Sequence, residues 1–233
     1  MWWAMWREVN GIKVAVDELY QVFVNGELVA TAVASPQDLD ELALGLLYAD
    51  GYIDTVEEVS ELRVEGRKII ARIRRRASPS FKAVEDCDVV KGGRREVRLV
   101  EARLDVEKLR ALVAEFGKFT MPTAEPSLAM HTSALLDEKG WLVVHDVSRH
   151  SSMLKLVGKA LKEGRRGPLV FTTGRASSDL VARGAAIGAS IMVSIRGPLN
   201  SGVETACALG VTLVANVRGR GLTPLCNPWR LKI

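Results

Sequence analysis

Residues 132–161 decide the fold: Thr132-Ser133-Ala134-Leu135-Leu136, then Asp137-Glu138-Lys139-Gly140, then Trp141-Leu142-Val143-Val144-His145, and after a short polar break the run from Arg149 to Leu161. Two short apolar runs joined by a turn that contains glycine predict paired strands, and the last run predicts a helix. Downstream the alternation continues. Strands are expected at Leu169–Thr173, Ser190–Ile195 and Val211–Val217, with helices at Ser177–Ala186 and Ser201–Leu209. Upstream, Asp105 is placed to cap a helix whose stripe is Val106, Leu109, Leu112, Val113 and Phe116. The order α-β-β-α-β-α-β-α-β predicts a mixed sheet between helical layers, a three-layer α/β domain over residues 98–233.

The first 76 residues carry a different pattern. Gln21–Val24 and Leu28–Val33 are strand candidates joined by Asn25-Gly26, a dipeptide that accepts positive φ in a tight hairpin. Ser35 is placed to cap a helix, with Pro36 at its first position and Asp38 in its first turn. Leu39, Leu42, Ala43, Leu46 and Leu47 then form one stripe, and Gly51 supplies a stop. Each buried leucine is worth about 1.5–3 kcal/mol, so this face must dock on something. Glu58–Val64 and Lys68–Arg74 predict a second hairpin around Glu65-Gly66. A small β-rich domain (residues 1–76) is therefore expected, making the chain α+β overall. Residues 77–97, with Ser78-Pro79-Ser80, acids around Cys87 and Lys91-Gly92-Gly93-Arg94-Arg95, are expected to form a long mobile loop between the domains. Trp2, Trp3 and Trp6 are expected to pack an N-terminal strand onto its own domain, or to form a dimer seam.

In 233 residues, 48% are apolar and 26% charged, which excludes disorder, a collagen-like repeat and a coiled coil. No uncharged apolar run reaches the ~20 residues needed to cross a bilayer, and the start is too short for a secretory core, so no membrane association and a cytoplasmic location are expected. The net charge of +4 is thin for a nucleic-acid binder, and with 6% aromatic residues there is little to stack on bases. Three cysteines without paired spacing argue against a disulfide scaffold or a zinc ribbon. Cys207 lies at helical spacing between alanines and is expected in the core; Cys226 is left open.

The element order resembles the zinc deaminase fold. That chemistry needs a His or Cys two residues before a Glu and a later Pro-Cys-x-x-Cys, whereas this chain has His131-Thr132-Ser133 and no paired late cysteine. No zinc is expected. Three strand-to-helix or post-strand turns remain: Asp146 to His150, Thr173 to Ser178, and Asn216 to Leu222. All are expected on one sheet edge, where open α/β sheets place ligands. Asp146, Arg149 and His150 suit a polar, phosphorylated group; Arg218-Gly219-Arg220-Gly221 combines forked donors with close backbone approach.

The chain resembles the FdhD/NarQ family of formate dehydrogenase accessory proteins. The resemblance runs through Ser35-Pro36-Gln37-Asp38-Leu39, Leu44-Gly45 and Asp50-Gly51, then His131, Asp146-Val147-x-Arg149-His150, Lys155 and Gly158. It continues through Gly174-Arg175-Ala176-Ser177 to Asn227-Pro228-x-Arg230-Leu231. It implies a sulfurtransferase that carries persulfide sulfur from a cysteine desulfurase to the molybdenum or tungsten bis(guanine dinucleotide) pterin cofactor, for formate dehydrogenase as client. It also implies a C-terminal domain similar to cytidine deaminase without the zinc, and a homodimer.

By that likeness Cys87 carries the persulfide. Val217, Arg218, Gly219, Arg220, Gly221 and Leu222, with Arg175, Ser177, His131, Asp146, Arg149, His150 and Lys155, hold the cofactor, for which GDP is a mimic. The chain departs from the family at Val90, where a second loop cysteine would stand, and at Ser148, Ser151 and Leu154, which replace the usual Gly, Asn and Asp. A single cysteine can hold a persulfide but cannot resolve it as an intraloop disulfide. The alternative is a protein that binds and delivers the cofactor without sulfur transfer.

Overall fold

The computed structural model describes residues 5–74, 82–84, 97–121, 125, 127–217 and 221–232. Two larger sheets organise them. The first has the order β5-β6-β3-β4-β7, built from β3 (Glu18–Val24), β4 (Glu27–Ala34), β5 (Val59–Glu65), β6 (Lys68–Ile73) and β7 (Lys82–Val84). Asn25 and Gly26 turn the β3–β4 hairpin with φ of 51° and 90°, as the dipeptide predicts. β7 falls inside the stretch expected to be loop: Lys82, Ala83 and Val84 pair in parallel with Ala30, Thr31 and Ala32. Three residues are too few to show a period, so only an unpaired edge on β4 could recruit them.

The second sheet has the order β10-β9-β11-β12-β13-β14, from β9 (His131–Asp137), β10 (Gly140–Asp146), β11 (Leu169–Thr172), β12 (Ile191–Ser194), β13 (Thr212–Val217) and β14 (Gly221–Cys226). β11, β12 and β13 run parallel, while β9 and β14 are antiparallel to their neighbours. The α/β class and the mixed sheet are as the element order predicts. The last strand was not expected: Asn216 and Val217 close β13, Gly221 and Leu222 open β14, and the two pair across a hairpin. Pro224 and the glycines hide this strand from periodicity, and only an edge position tolerates that proline. Two small pairs complete the sheets, β1 (Trp6–Val9) with β2 (Ile12–Ala15), and β8 (Leu104–Asp105) with β15 (Leu231–Lys232). Trp6 opens β1 with the ammonium of Lys13 5.0 Å from its ring centre; Trp2 and Trp3 lie outside the described residues.

Successive residues of the central strands enter different cores, because side chains alternate across a sheet. Phe171, Ile191, Val193 and Val214 face α2 (Val106–Phe119) through Leu109 and Phe116. Val170, Met192 and Leu213 face the other way, towards α3 (Arg149–Lys162), α4 (Ser178–Ala186) and α5 (Asn200–Leu209). That second core runs on through α1 (Leu39–Ala49) into Tyr20, Val22 and Ile69 of the five-stranded sheet.

Helix α1 corrects two expectations. It starts at Leu39, with Asp38 at the N-cap in the left-handed region (φ 50°), and neither Ser35 nor Pro36 belongs to it. Its buried residues include Leu44, Gly45 and Tyr48 besides the predicted stripe, because it lies between its own sheet and α3. The crossing is close. A Cβ on Gly45 would sit 1.8 Å from the Leu154 carbonyl oxygen, and one on Gly158 would sit 1.9 Å from that of Glu41.

The cysteine expectation is also corrected. Cys207 on α5 is joined to Cys226 at the end of β14 by a disulfide, with Cα atoms 5.4 Å apart. Their separation of 19 residues carries no motif, so only the return of β14 beside α5 reveals the pair.

Candidate functional site

Because β10, β11, β12 and β13 all point the same way, their carboxyl ends share one edge, joined by the starts of β9 and β14. Asp146 lies opposite His131, Thr172 opposite Ser133 and Ser194, and Val217 opposite Gly221. Asp146 to His150, Thr173 to Ser178 and the described ends of Asn216 to Leu222 therefore lie along one rim. Helices α3, α4 and α5 all begin there, presenting backbone N–H groups to that edge.

Hydrogen bonds tie the Thr173–Ser178 turn to the start of β9 and the end of β12. The Thr132 N–H donates to Thr173 Oγ1 (2.9 Å), which also meets His131 Nδ1 at 3.2 Å. The Gly174 N–H donates to Thr172 Oγ1 (3.0 Å), and the Ser194 hydroxyl donates to the Gly174 carbonyl (2.7 Å). A Cβ on Gly174 would lie 2.7 Å from Arg149 Cβ, so the glycine lets the two turns touch. Gly202 does the same for α5, where a Cβ would meet the Ala176 carbonyl at 2.2 Å. Arg175 is exposed on this rim, and so is Arg196, which the sequence reading passed over although it follows β12 just as Arg175 follows β11. Arg149 and His150 are buried.

His150 Nε2 lies 3.4 Å from Asp179 Oδ2, which also accepts from Arg183 at 2.8 Å. Burial would push the Asp179 carboxyl up. The charges of Arg183 and His150 and the Ser177 hydroxyl outweigh it and hold the group below the usual carboxylate range. Ser177 thus points its hydroxyl at Asp179 within the turn.

Asp146 and Lys155 lie beneath the rim, both completely buried. Lys155 Nζ donates to Asp146 Oδ2 (2.6 Å), the Ser35 carbonyl (3.0 Å) and Ser35 Oγ (3.4 Å), so each of its three donors faces an acceptor. The same Asp146 oxygen accepts from the Ser35 N–H (3.2 Å) and hydroxyl (2.9 Å), while Oδ1 accepts the Ser148 N–H at 2.8 Å. Burial pushes the Asp146 carboxyl up against the opposing pull of Lys155. Ser35, expected as a helix cap, is claimed instead by this ion pair. Nothing local in Ser35-Pro36 signals that partner, 111 residues away.

Cys87 and the segment Arg218-Gly219-Arg220 lie outside the described residues. Their flanks do not. Val217 and Gly221 end on the rim, and Val84, three residues before Cys87, pairs with Ala32, three residues before Ser35. With Cys207 and Cys226 joined, Cys87 is left as the cysteine outside the disulfide. Among the described residues no group of three or more His, Cys, Asp or Glu side chains converges to hold a metal, and no helix is long and apolar enough to cross a membrane.

Fold and rim together define a mixed α/β protein whose larger sheet gathers three helix starts along one edge, with a second sheet tied to that edge through Ser35. Residues 15–232 match the FdhD/NarQ family, and the chain belongs to it. A relative from Anaeromyxobacter sp. (strain K), named sulfur carrier protein FdhD, is 31% identical over 94% of this chain and 88% of its own length. One of the same name from Methanothermobacter thermautotrophicus is 26% identical over 94% and 91%. A crystal structure from Desulfotalea psychrophila, described as a formate dehydrogenase accessory protein, superposes with a TM-score of 0.74 at 25% identity, covering 95% of this chain and 91% of that one.

Proposed function

We propose that this protein is a sulfur carrier that holds sulfur on Cys87 as a persulfide and passes it to a pterin guanine dinucleotide cofactor seated on the rim. The observation that carries the proposal is the meeting of two chain segments. The β10–β13 ends form an edge rich in N–H donors and arginine, and β4, paired with the strand that leads to Cys87, is fastened to it through Ser35. Three residues of chain span about 10 Å at most, so the approach to Cys87 starts near the rim. Exposed Arg175 and Arg196 with three helix starts suit a pyrophosphate. Arg218 and Arg220 add to them by sequence position.

In the transfer step a nucleophilic acceptor attacks the outer sulfur of the Cys87 persulfide. The new bond to that sulfur forms as the S–S bond breaks, and its electron pair leaves with Cys87 as thiolate. The donor of the sulfur is a cysteine desulfurase, the client is formate dehydrogenase, and the reading takes a cytoplasmic homodimer as the working state.

The test is persulfide labelling after incubation with a desulfurase and L-cysteine, beside a GDP titration. Label on Cys87 that is absent in Cys87→Ser, with saturable GDP binding, is expected. No label, or no GDP uptake, overturns the proposal. Val90, standing where a second loop cysteine would serve, favours a second reading, a protein that binds and delivers the cofactor. GDP binding and full client activation by Cys87→Ser would select it.

A further inference from the structure

The Ser35–Asp146–Lys155 cluster does more than neutralise charge. A buried ion pair is weak in net stability compared with apolar packing of the same volume, and the apolar α1–α3 contact already holds the two sheets together. What the cluster adds is direction. One carboxylate grips Ser35 at the end of β4 through Oδ2 and the Ser148 N–H at the start of α3 through Oδ1. A second tie runs beside it, from the Ser151 hydroxyl to the Val33 carbonyl at 2.6 Å. β4 therefore meets the rim in a single register. β7 is hydrogen-bonded to β4 within three residues of that joint.

We infer that Ser35, Asp146 and Lys155, with Ser151, are positioning residues that set the strand pair β4–β7 against the rim, so that sulfur carried just beyond β7 meets the bound acceptor in a productive geometry. The inference rests on the sulfur-carrier reading above. Misplacement of reacting groups by about 1 Å costs on the order of 100-fold in rate, whereas the rim itself is built by β9–β14 and the helices that follow them, and β4 belongs to the other sheet.

The experiment uses the full chain loaded with radiolabelled persulfide sulfur, wild type against Ser35→Ala and Ser151→Ala. Each is measured for GDP affinity, for thiocyanate release to free cyanide, and for label passed to added guanine dinucleotide cofactor. The expected result is GDP affinity within about threefold of wild type, an unchanged cyanide reaction, and transfer to the cofactor slowed about 10- to 100-fold. Cyanide diffuses to the persulfide and needs no positioning, so it reports the persulfide loaded, whereas a general loss of structure would depress GDP affinity together with transfer. Wild-type transfer to the cofactor in both variants, or a joint fall of GDP affinity and transfer in both, overturns the inference. Should Ser35→Ala fail to fold, Ser151→Ala alone decides. A wild-type chain that passes no sulfur at all overturns the sulfur-carrier reading itself.

Discussion

Lys155 holds its ammonium where no solvent reaches, and its stability role follows from that. Lys155→Met leaves the Asp146 carboxylate buried without its cation, and removing one partner of such a pair costs about 3–5 kcal/mol. Adding Asp146→Leu removes the orphaned charge, so the double variant is expected to recover most of that loss in urea denaturation. Equal losses in single and double variants would show that charge pairing is not what matters. His145 sets a pH limit. Burial, with help from the Lys159 charge, lowers its pKa to about 4 from the usual 6.5, so the folded protein keeps the ring neutral. The unfolded chain binds that proton first as pH falls, and the contribution, full above about pH 6.5, is lost between 6.5 and 4 at up to about 1.4 kcal/mol per pH unit. Melting curves of His145→Gln are expected to be less pH-dependent than wild type across that window.

At the scale of elements, the α1–α3 crossing depends on two glycines that face the opposite backbone. Backbone cannot give way as a flexible side chain can, so Gly45→Ala and Gly158→Ala are each expected to cost at least about 3 kcal/mol. Gly117 in α2 is the counterpart: a Cβ there meets nothing within 4 Å. Gly117→Ala is expected to stabilise by about 0.5–1 kcal/mol through the helical preference of alanine. Denaturant midpoints of the three variants check both signs. In sequence, Gly45 and Gly158 look like the same helical glycine as Gly117. Only the crossing distinguishes them.

For the molecule as a whole, the Cys207–Cys226 bond closes a loop over the β13–β14 hairpin and clamps the sheet's edge strand to α5. Closing a loop of this length is worth about 3 kcal/mol against the unfolded chain. Dithiothreitol, or Cys207→Ser with Cys226→Ser, is expected to lower the melting temperature by several degrees, and thiol titration of the unreduced, denatured chain should find one free cysteine. The tail beyond the bond stays fixed, because Asn227 donates to the Ala206 and Val211 carbonyls and Arg230 pairs with Glu101.

Local signals were enough for much of this architecture. Asn25-Gly26 and Gly140 name their turns, and the apolar runs of β9–β13 and the stripe of α2 name their elements, because period and turn chemistry are properties of neighbouring residues. Parallel strand order then follows from helix alternation, which places Asp146, Thr173 and Val217 on one edge. What sequence did not carry is whatever depends on residues far apart. Ser35 reads as a cap until Asp146 competes for it, Lys82–Val84 reads as loop until β4 offers an edge, and Cys226 has no partner until β14 returns beside α5. Short-range order selects which elements form; long-range contact, written only in the folded chain, decides which polar groups are spent inside and which are left on the rim.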